Sequence, residues 1–486
     1  MNIKSKTLSQ ITMELDCNII GNIDNVTVKM LTCDSRNVEK GYLFCCVRGT
    51  FSDGHKYAKA AVQKGASAIM CEYELEDISV PQIIVKNTRI EMAKAAAIFF
   101  DHPSEKMMMI GITGTNGKTS TTYFLKSIFE KSNKKVGIIG TICTMIGDEK
   151  IHSDRTTPDS ISLQKLLWQM SNSGVEVVIM EVSSHALDQY RVHGIIFDAA
   201  EFTNITVDHL DYHKTFENYL EAKTKLFSMA MTAAINLDDP HSNRIIAATR
   251  CPVTTFGIEK KADIFAKNVK YDVLHTEFTI CRGKDEINIK IPIPGRFTVY
   301  NALGAATVAE LCGISWENIT DGLATVKGVA GRIEPLPTYG RDFAVYLDYA
   351  HTPDALENII KTVKEIDENH RIVTLFGCGG DRDNSKRSTM GEIAGTYSDF
   401  LIVTSDNPRT EDPSKIIEMI MEGVLKTKCP YIIIENRLEA ITYALENAKK
   451  NDIIILAGKG HEDYQEINNE KHHFDEREIV DSLLKR

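Results

Sequence analysis

GITGTNGKTSTTYF, Gly111 to Phe124, follows the apolar run MMMI and opens a helical pattern. A strand, a glycine-rich turn and a helix in that order make a phosphate loop. The turn's backbone N–H groups and the helix N-terminus together surround phosphate oxygens. Gly114, Thr115, Asn116, Gly117, Lys118, Thr119 and Ser120 are the candidate ATP-binding residues. Lys118 is expected to reach the β- and γ-phosphates and the Thr119 hydroxyl to bind Mg²⁺. The spacing departs from the usual pattern in that position 112 is Ile rather than Gly.

The pattern around the loop repeats along the chain. Apolar runs (KVGIIGTI, VEVVIMEV, AAEFTNIT, AAINLDDP) alternate with helical stretches up to GRIEPLP. A further series then begins, with FAVYLDYA, RIVTLFGCGG, FLIVTSDNPR, YIIIENR and DIIILAGKGHED. Continuous apolar strands separated by helices predict parallel sheets covered on both faces. The N-terminal hundred residues alternate shorter runs (YLFCCV, SAIMC, PQIIV) with helical ones, and DHPSEK reads as a linker. The expected fold is α/β in three domains. Residues 1–105 form a smaller N-terminal α/β domain, 106–332 a central P-loop domain with a parallel sheet, and 333–486 a C-terminal Rossmann-like domain with a parallel sheet.

Bulk composition excludes several classes. The 486 residues carry 56 Lys and Arg against 67 Asp and Glu, a net charge of -11, which argues against a general nucleic-acid binder. No apolar run approaches a membrane span, and no signal peptide is read at the start. The 11 cysteines are scattered without CxxC pairs and read as reduced thiols of a cytoplasmic protein.

Polar motifs cluster where the strands end, which is where open α/β sheets bind ligands. Glu181 closes the run VEVVIMEV, where it can bind metal or water near the phosphates, and His209 follows AAEFTNIT. Lys223 lies on a helix with apolar neighbours, and its ordinary reading is a solvated helix charge. DYAHTPD, GCGGDRD, TSDNPR and GKGHEDYQ mark four strand ends of the third series. An active site between two sheets is the natural expectation.

GTNGKTS, EVSSHALDQYRV, TNITVDHLDYH, YNALGA, GRIE, DYAHTPD, GCGGDRD, DNPR and GKGHEDYQ stand in the order, and at roughly the spacing, of the Mur ligases. The chain resembles this family of ATP-dependent amide-forming enzymes of peptidoglycan precursor synthesis from Thr32 to Gln465. The resemblance is greatest to the members that add the third peptide residue. It implies catalytic roles for Lys118, His209 and Lys223, with Lys223 carbamylated, and a metal set of Thr119, Glu181, His209 and the Lys223 carbamate for Mg²⁺. Asn301, Arg332, Asp348 and His351 resemble further ATP contacts. Ser35 resembles a contact to the uridine nucleotide, and Thr156, Thr157, Ser183, Gln189 and Arg191 resemble groups that hold the muramoyl-dipeptide. The implied reaction activates a D-Glu carboxylate as an acyl phosphate and then couples it to an amine.

Within that resemblance, TSDNPRTEDP (Thr404–Pro413) chooses the amino acid. Arg409 offers a planar fork that fits a carboxylate, Asp406 can accept from an ammonium, Asn407 can hydrogen-bond and Pro408 stiffens the turn. Arg387, Gly458 and Glu462 are expected to complete the pocket. The resemblance implies meso-diaminopimelate as the amino acid, since lysine-adding members replace the Arg of DNPR, here Arg409. The simpler alternative pairs Arg409 with Glu411 or Asp412 in a turn. Other readings of the whole chain are a lysine-adding or folate-type ligase and a P-loop switch or transport ATPase. The expected partners are small-molecule substrates, with no nucleic acid and no membrane, and a monomer is expected.

Overall fold

The computed structural model describes residues 3–49, 52–151, 153, 155–273, 275–366 and 370–485. Three large sheets follow one another along the chain. The first has five strands, ordered Cys17–Ile20, Gln82–Val85, Ala68–Cys71, Tyr42–Cys45 and Met30–Thr32, and only the Cys17–Ile20 pairing is antiparallel. The central sheet has eleven strands. Its parallel centre runs Val136–Ile139, Val177–Glu181, Met108–Thr113, Ala199–Phe202, Ala233–Asn236 and Val253–Gly257. The third has six strands, five of them parallel, with Ala344–Asp348 and Arg371–Phe376 flanking Asp452–Ala457.

The sequence pattern predicts a wholly parallel central sheet, and the structure departs from it at both edges. Thr144–Ile146 and Glu149–Ile151 form an antiparallel hairpin on one side, and Thr276–Arg282 and Asp285–Ile291 form another on the other. The outermost of these strands, Asp285–Ile291, alternates buried and exposed residues over its second half, as an edge strand with one wet face does. Among the described residues, no helix is long and apolar enough to cross a membrane.

The parallel strands bury both faces. Along Ala199–Phe202, Ala199 packs into the core against Phe124, Ala302 and Phe256, while Ala200 and Phe202 pack into the core on the opposite face with Leu220 and Phe227. Glu201 shares the face of Ala199 and is an anomaly there. Its side chain is fully buried and neither carboxyl oxygen has a hydrogen-bond partner. Thr121 on the phosphate-loop helix is close enough to temper its pKa, yet neither its hydroxyl nor the carboxyl reaches hydrogen-bonding geometry. A Cβ at Gly304 would lie 2.2 Å from Glu201 Oε1, so glycine makes the room for it.

Burial raises the Glu201 pKa well above the ordinary glutamate value, which keeps the carboxyl protonated. Between the unfolded and the raised folded pKa, the unfolded chain releases a proton that the folded chain keeps. Stability therefore falls as pH rises through that window. Glu201→Gln removes the titration. Its melting temperature relative to the wild type is expected to climb as pH rises from the ordinary glutamate value toward the raised one. Thermal unfolding across that range checks this, and a constant difference would show that Glu201 is ionised.

Candidate active site

The phosphate loop joins the Met108–Thr113 strand to the Lys118–Lys131 helix. That helix has no side-chain cap at its N-terminus, so its first N–H groups are left to an anion. Two glycines make the loop possible. Gly117 adopts φ 89°, and a Cβ there would lie 2.5 Å from Asn301 Oδ1. At Gly114 a Cβ would meet Thr203 Oγ1 at 1.8 Å. Lys118 donates to the carbonyls of Gly114 and Thr115, both at 2.9 Å. Its position in the loop lowers its pKa through burial, against the opposing charges of Glu181 and Asp208.

A cavity of ≈ 360 Å³ opens in front of the loop. Lys118, Thr119, Glu181, Asn301, Arg332 and Asp348 line it, so the structure brings these sequence-predicted residues together across two domains. Asp348 accepts from the backbone N–H of Ile333 at 2.8 Å, and burial raises its pKa. The Arg332 guanidinium lies 5.2 Å from the centre of the Tyr349 ring. His351 is placed elsewhere: it lines a second cavity, of ≈ 620 Å³, with its Nδ1 2.8 Å from the Tyr349 carbonyl.

Glu181 accepts from the Thr141 N–H at 3.1 Å and from the Thr141 hydroxyl at 2.9 Å. Thr141 in turn stands 3.0 Å from the Thr156 hydroxyl, and it lines both cavities. The sequence reading missed Thr141, although it sits at the end of the run KVGIIGTI, where the strand-end rule points. Thr157 donates to the Glu181 carbonyl at 2.8 Å, and Arg191 donates to the Thr157 carbonyl at 2.8 Å and to Gln189 Oε1 at 2.9 Å. Ser183, 3.4 Å from the Thr157 hydroxyl, completes this strip. Ser35 lies in the N-terminal domain beside Asp34, whose side chain caps its turn. The adjacent Cys33 thiol is pushed up to about 11, chiefly by burial and next by the charge of Asp159, so this loop faces RTTPD.

Lys223 is 2% exposed, which overturns its reading as a solvated charge. Its ammonium donates to the Gly114 carbonyl at 2.7 Å and lies 4.7 Å from the centre of the Tyr219 ring. Burial first, and Lys118 second, hold its pKa well below the ordinary lysine value. His209 sits 6.1 Å from Tyr219 and 4.9 Å from His185 between ring centres. Burial and the neighbouring His209 and His213 push His185 down to about 4. Neither His209 nor Lys223 lines the phosphate-loop cavity, and among the described residues no group of three or more His, Cys, Asp or Glu could hold a metal unaided. The oxygen donors Thr119 and Glu181 nonetheless share one cavity with the phosphate loop. Such a sparse oxygen set suits Mg²⁺, which keeps several waters and shares substrate phosphate oxygens.

The second cavity is lined by Asp406, Asn407, Arg409, Gly458 and Glu462. Arg409 donates from Nε to Glu466 at 2.9 Å and from Nη1 to the Gly380 carbonyl at 2.7 Å. Its partner is thus Glu466 of GKGHEDYQE, and neither Glu411 nor Asp412. Pro408 turns its back on this cavity and lines a neighbouring one. Arg387 is also placed differently from the sequence expectation. It is fully buried, donates to both Glu411 oxygens at 2.9 Å and lines no described wall of the cavity. Lys459, unnoticed in the sequence, is fully buried and donates to Asn407 Oδ1 at 3.0 Å. Asn407 donates to Glu462 at 2.8 Å.

A phosphate loop on one sheet and an acid- and base-lined pocket on another, meeting at Thr141, define an ATP-dependent ligase that joins an acid to an amino acid. Comparison with known proteins agrees. Family models match residues 27–111 (Mur ligase family, catalytic domain), 112–309 (Mur ligase middle domain) and 331–460 (Mur ligase, glutamate ligase domain). A UDP-N-acetylmuramoyl-L-alanyl-D-glutamate–2,6-diaminopimelate ligase of Caldanaerobacter subterraneus subsp. tengcongensis is 48% identical, with 95% of each chain covered. Ligase 1 of that name from Clostridium acetobutylicum is 46% identical over 99% of this chain and 98% of its own. A solved structure of a ligase of that name superposes with a TM-score of 0.73 at 30% identity, covering 99% of both chains. The chain belongs to the Mur ligase family.

Lys118→Ala is expected to lower turnover by at least about 10²-fold, the order expected when a group aimed at developing charge is removed. Its melting temperature should stay near that of the wild type, because Lys118 bonds only to its own loop. Steady-state ADP release checks this, and undiminished turnover would remove the phosphate-loop assignment.

Proposed function

We propose that this enzyme adds meso-2,6-diaminopimelate to UDP-N-acetylmuramoyl-L-alanyl-D-glutamate, converting ATP to ADP and phosphate, in peptidoglycan synthesis. The observation that carries the reading is Thr141, the wall common to the phosphate-loop cavity and the cavity holding Asp406, Asn407 and Arg409. The substrate name comes from the relatives, which are 46–48% identical over nearly the full chain. Domain divisions at 105/106 and 332/333, a cytoplasmic monomer and freedom from nucleic acid belong to the same proposal.

The D-Glu side-chain carboxylate attacks the γ-phosphorus of ATP, and ADP leaves. The amine of the amino acid then attacks the acyl phosphate carbon, and phosphate leaves as the amide forms. The first step demands positioning and charge neutralisation more than covalent help. Gly114 to Ser120 bind the phosphates, with Lys118 drawn from its carbonyl partners to their charge. Asn301, Arg332 and Asp348 hold the nucleotide, and His351 joins from the adjoining cavity. Ser35, Thr156, Thr157, Ser183, Gln189 and Arg191 hold the UDP-muramoyl-dipeptide with its carboxylate toward Thr141. Thr119 and Glu181 would hold Mg²⁺, with His209 and carbamylated Lys223 holding a second ion; Mg²⁺ supplies charge neutralisation at the phosphoryl oxygens. Closure of the site excludes water, which would hydrolyse the acyl phosphate.

Arg409 discriminates the amino acid. A second carboxylate pairs with its fork, whereas lysine leaves it unmatched in a closed site. Loss of such a pairing separates substrates by about 10⁴-fold. Arg409→Ala is expected to raise KM for diaminopimelate far more than KM for ATP. Phosphate release with the UDP-muramoyl-dipeptide and a panel of amino acids tests the whole reading. Release should depend on both the acceptor and diaminopimelate; equal efficiency with lysine would refute the role of Arg409.

The buried Lys223, whose pKa burial lowers, suits reaction of its neutral amine form with CO₂, forming an N–C bond and releasing a proton. Activity is expected to fall in bicarbonate-free buffer at low pH and to return on adding bicarbonate. Intact-protein mass measured under both conditions should show the carbamate; an unmodified lysine in fully active enzyme would remove this role.

A further inference from the structure

The amino-acid cavity is backed by a charge that does not face it. Arg437 begins the Arg437–Glu446 helix and is fully buried. Its Nε donates to Glu476 Oε1 at 2.8 Å, and its Nη2 donates to the Ala457 carbonyl at 3.0 Å. Its Nη1 donates to the Ser405 carbonyl at 3.5 Å and lies 3.8 Å from Asp406 Oδ2. The guanidinium is thus clamped between two strand ends and a carboxylate, and it lines the neighbouring cavity rather than the one at Arg409 and Glu462.

Asp406 is the group this arrangement acts on. Its Oδ1 accepts from the Asn407 N–H at 2.7 Å. Its Oδ2 is buried without a hydrogen-bond partner, although it belongs to a side chain that lines the amino-acid cavity. A buried acceptor left unmade is costly. Oδ2 lies against Gly458, where a Cβ would approach to 2.7 Å, so only glycine leaves the carboxylate this position. The nearest described cation to Oδ2 is Arg437, too long for a hydrogen bond and close enough for strong attraction in a buried site.

We propose that Arg437, neutralised from behind by Glu476, is a positioning residue that anchors the Asp406 carboxylate through its buried Oδ2 and so fixes the carboxylate at the wall where the ammonium of the incoming amino acid docks. The proposal rests on the reading of Asp406 to Arg409 as the amino-acid site. Bound substrate completes an alternating row: ammonium, Asp406, Arg437, Glu476. Arginine is needed because its fork meets Glu476 and both strand ends at once, which a single ammonium cannot do. Glu476 stands first in the C-terminal helix Glu476–Leu484. The next residue, Arg477, donates to the Gly460 carbonyl at 3.1 Å and to Glu334 at 2.8 Å. The C-terminal helix therefore braces the amino-acid site through two adjacent residues.

The test is steady-state kinetics of the full-length enzyme, with Arg437→Lys, Glu476→Gln, Asp406→Asn and the Asp406→Asn/Glu476→Gln double variant. Arg437→Lys and Glu476→Gln are expected to raise KM for diaminopimelate by about tenfold. KM for ATP and for the UDP-linked acceptor should stay within about twofold, since neither site meets Arg437. The double variant should be little worse than Asp406→Asn alone, because Glu476 acts through Asp406. An unchanged KM for diaminopimelate in folded Glu476→Gln and Arg437→Lys, with Asp406→Asn impaired, overturns the positioning role alone. An unchanged KM in Asp406→Asn overturns it together with the amino-acid-site reading. Equal rises in all three KM values mark a merely structural role. If Arg437→Lys does not fold, Glu476→Gln decides.

Discussion

Glu181 takes both hydrogen bonds that Thr141 can give it, through the N–H at 3.1 Å and the hydroxyl at 2.9 Å. That contact ties the loop after the Val136–Ile139 strand to the end of its neighbour Val177–Glu181, beside the phosphate loop. A Cβ at Gly140 would sit 2.5 Å from Glu181 Oε1, so the approach is possible only over a glycine. The Thr156–Thr157 strip hangs from the same place through Thr141 and the Glu181 carbonyl. One carboxylate thus fixes the point at which the phosphate-loop cavity and the cavity of Asp406, Asn407 and Arg409 touch. The C-terminal sheet comes to that point by a comparably tight contact. Gly331 packs on the backbone of Gly460 and His461, where a Cβ would approach to 2.3 Å.

The electrostatics follow from where each charge sits. Lysines near the phosphate loop lose hydration, and both Lys118 and Lys223 are shifted toward the neutral form. In the proposed reaction a bound triphosphate would restore the Lys118 charge, and the lowered Lys223 pKa would favour its carbamylation. In the C-terminal domain the balance is reversed. Burial raises the Glu462 pKa, against the attraction of Lys459, and Asn407 is held between the two. Buried cations behind an acid-lined pocket keep its carboxylates in place for a charged substrate.

The fold was legible where residues obey one strong rule. Unbroken apolar strands gave the parallel centres of two sheets. The phosphate-loop motif gave the strand–turn–helix, and the family resemblance pointed to Asn301, Arg332 and Asp348, which line the same cavity. The edge hairpins at 144–151 and 276–291 were hidden because their strands lack the unbroken apolar run that marks the sheet centre. Arg387 was placed at the pocket by its motif, yet its partner Glu411 lies 24 residues on and turns it inward. Thr141, Lys459 and Arg437 escaped for a related reason: each acts by holding a neighbour, and the neighbour is distant in sequence. Lys223 shows the limit most plainly, since a helix lysine is ordinarily solvated, yet this one is buried with its Nζ on the Gly114 carbonyl of the phosphate loop, 109 residues away.

The central claim is that the acceptor carboxylate is itself phosphorylated in a site shared by both sheets. The most direct measurement is oxygen transfer from acceptor labelled with ¹⁸O in the D-Glu side-chain carboxylate, followed by mass analysis of the released phosphate. Attack of that carboxylate on the γ-phosphorus places its oxygen in the bridge, and amide formation expels phosphate carrying it. The account predicts one ¹⁸O in each phosphate released during ligation. Unlabelled phosphate, with the amide formed and ADP produced in equal amount, would contradict it.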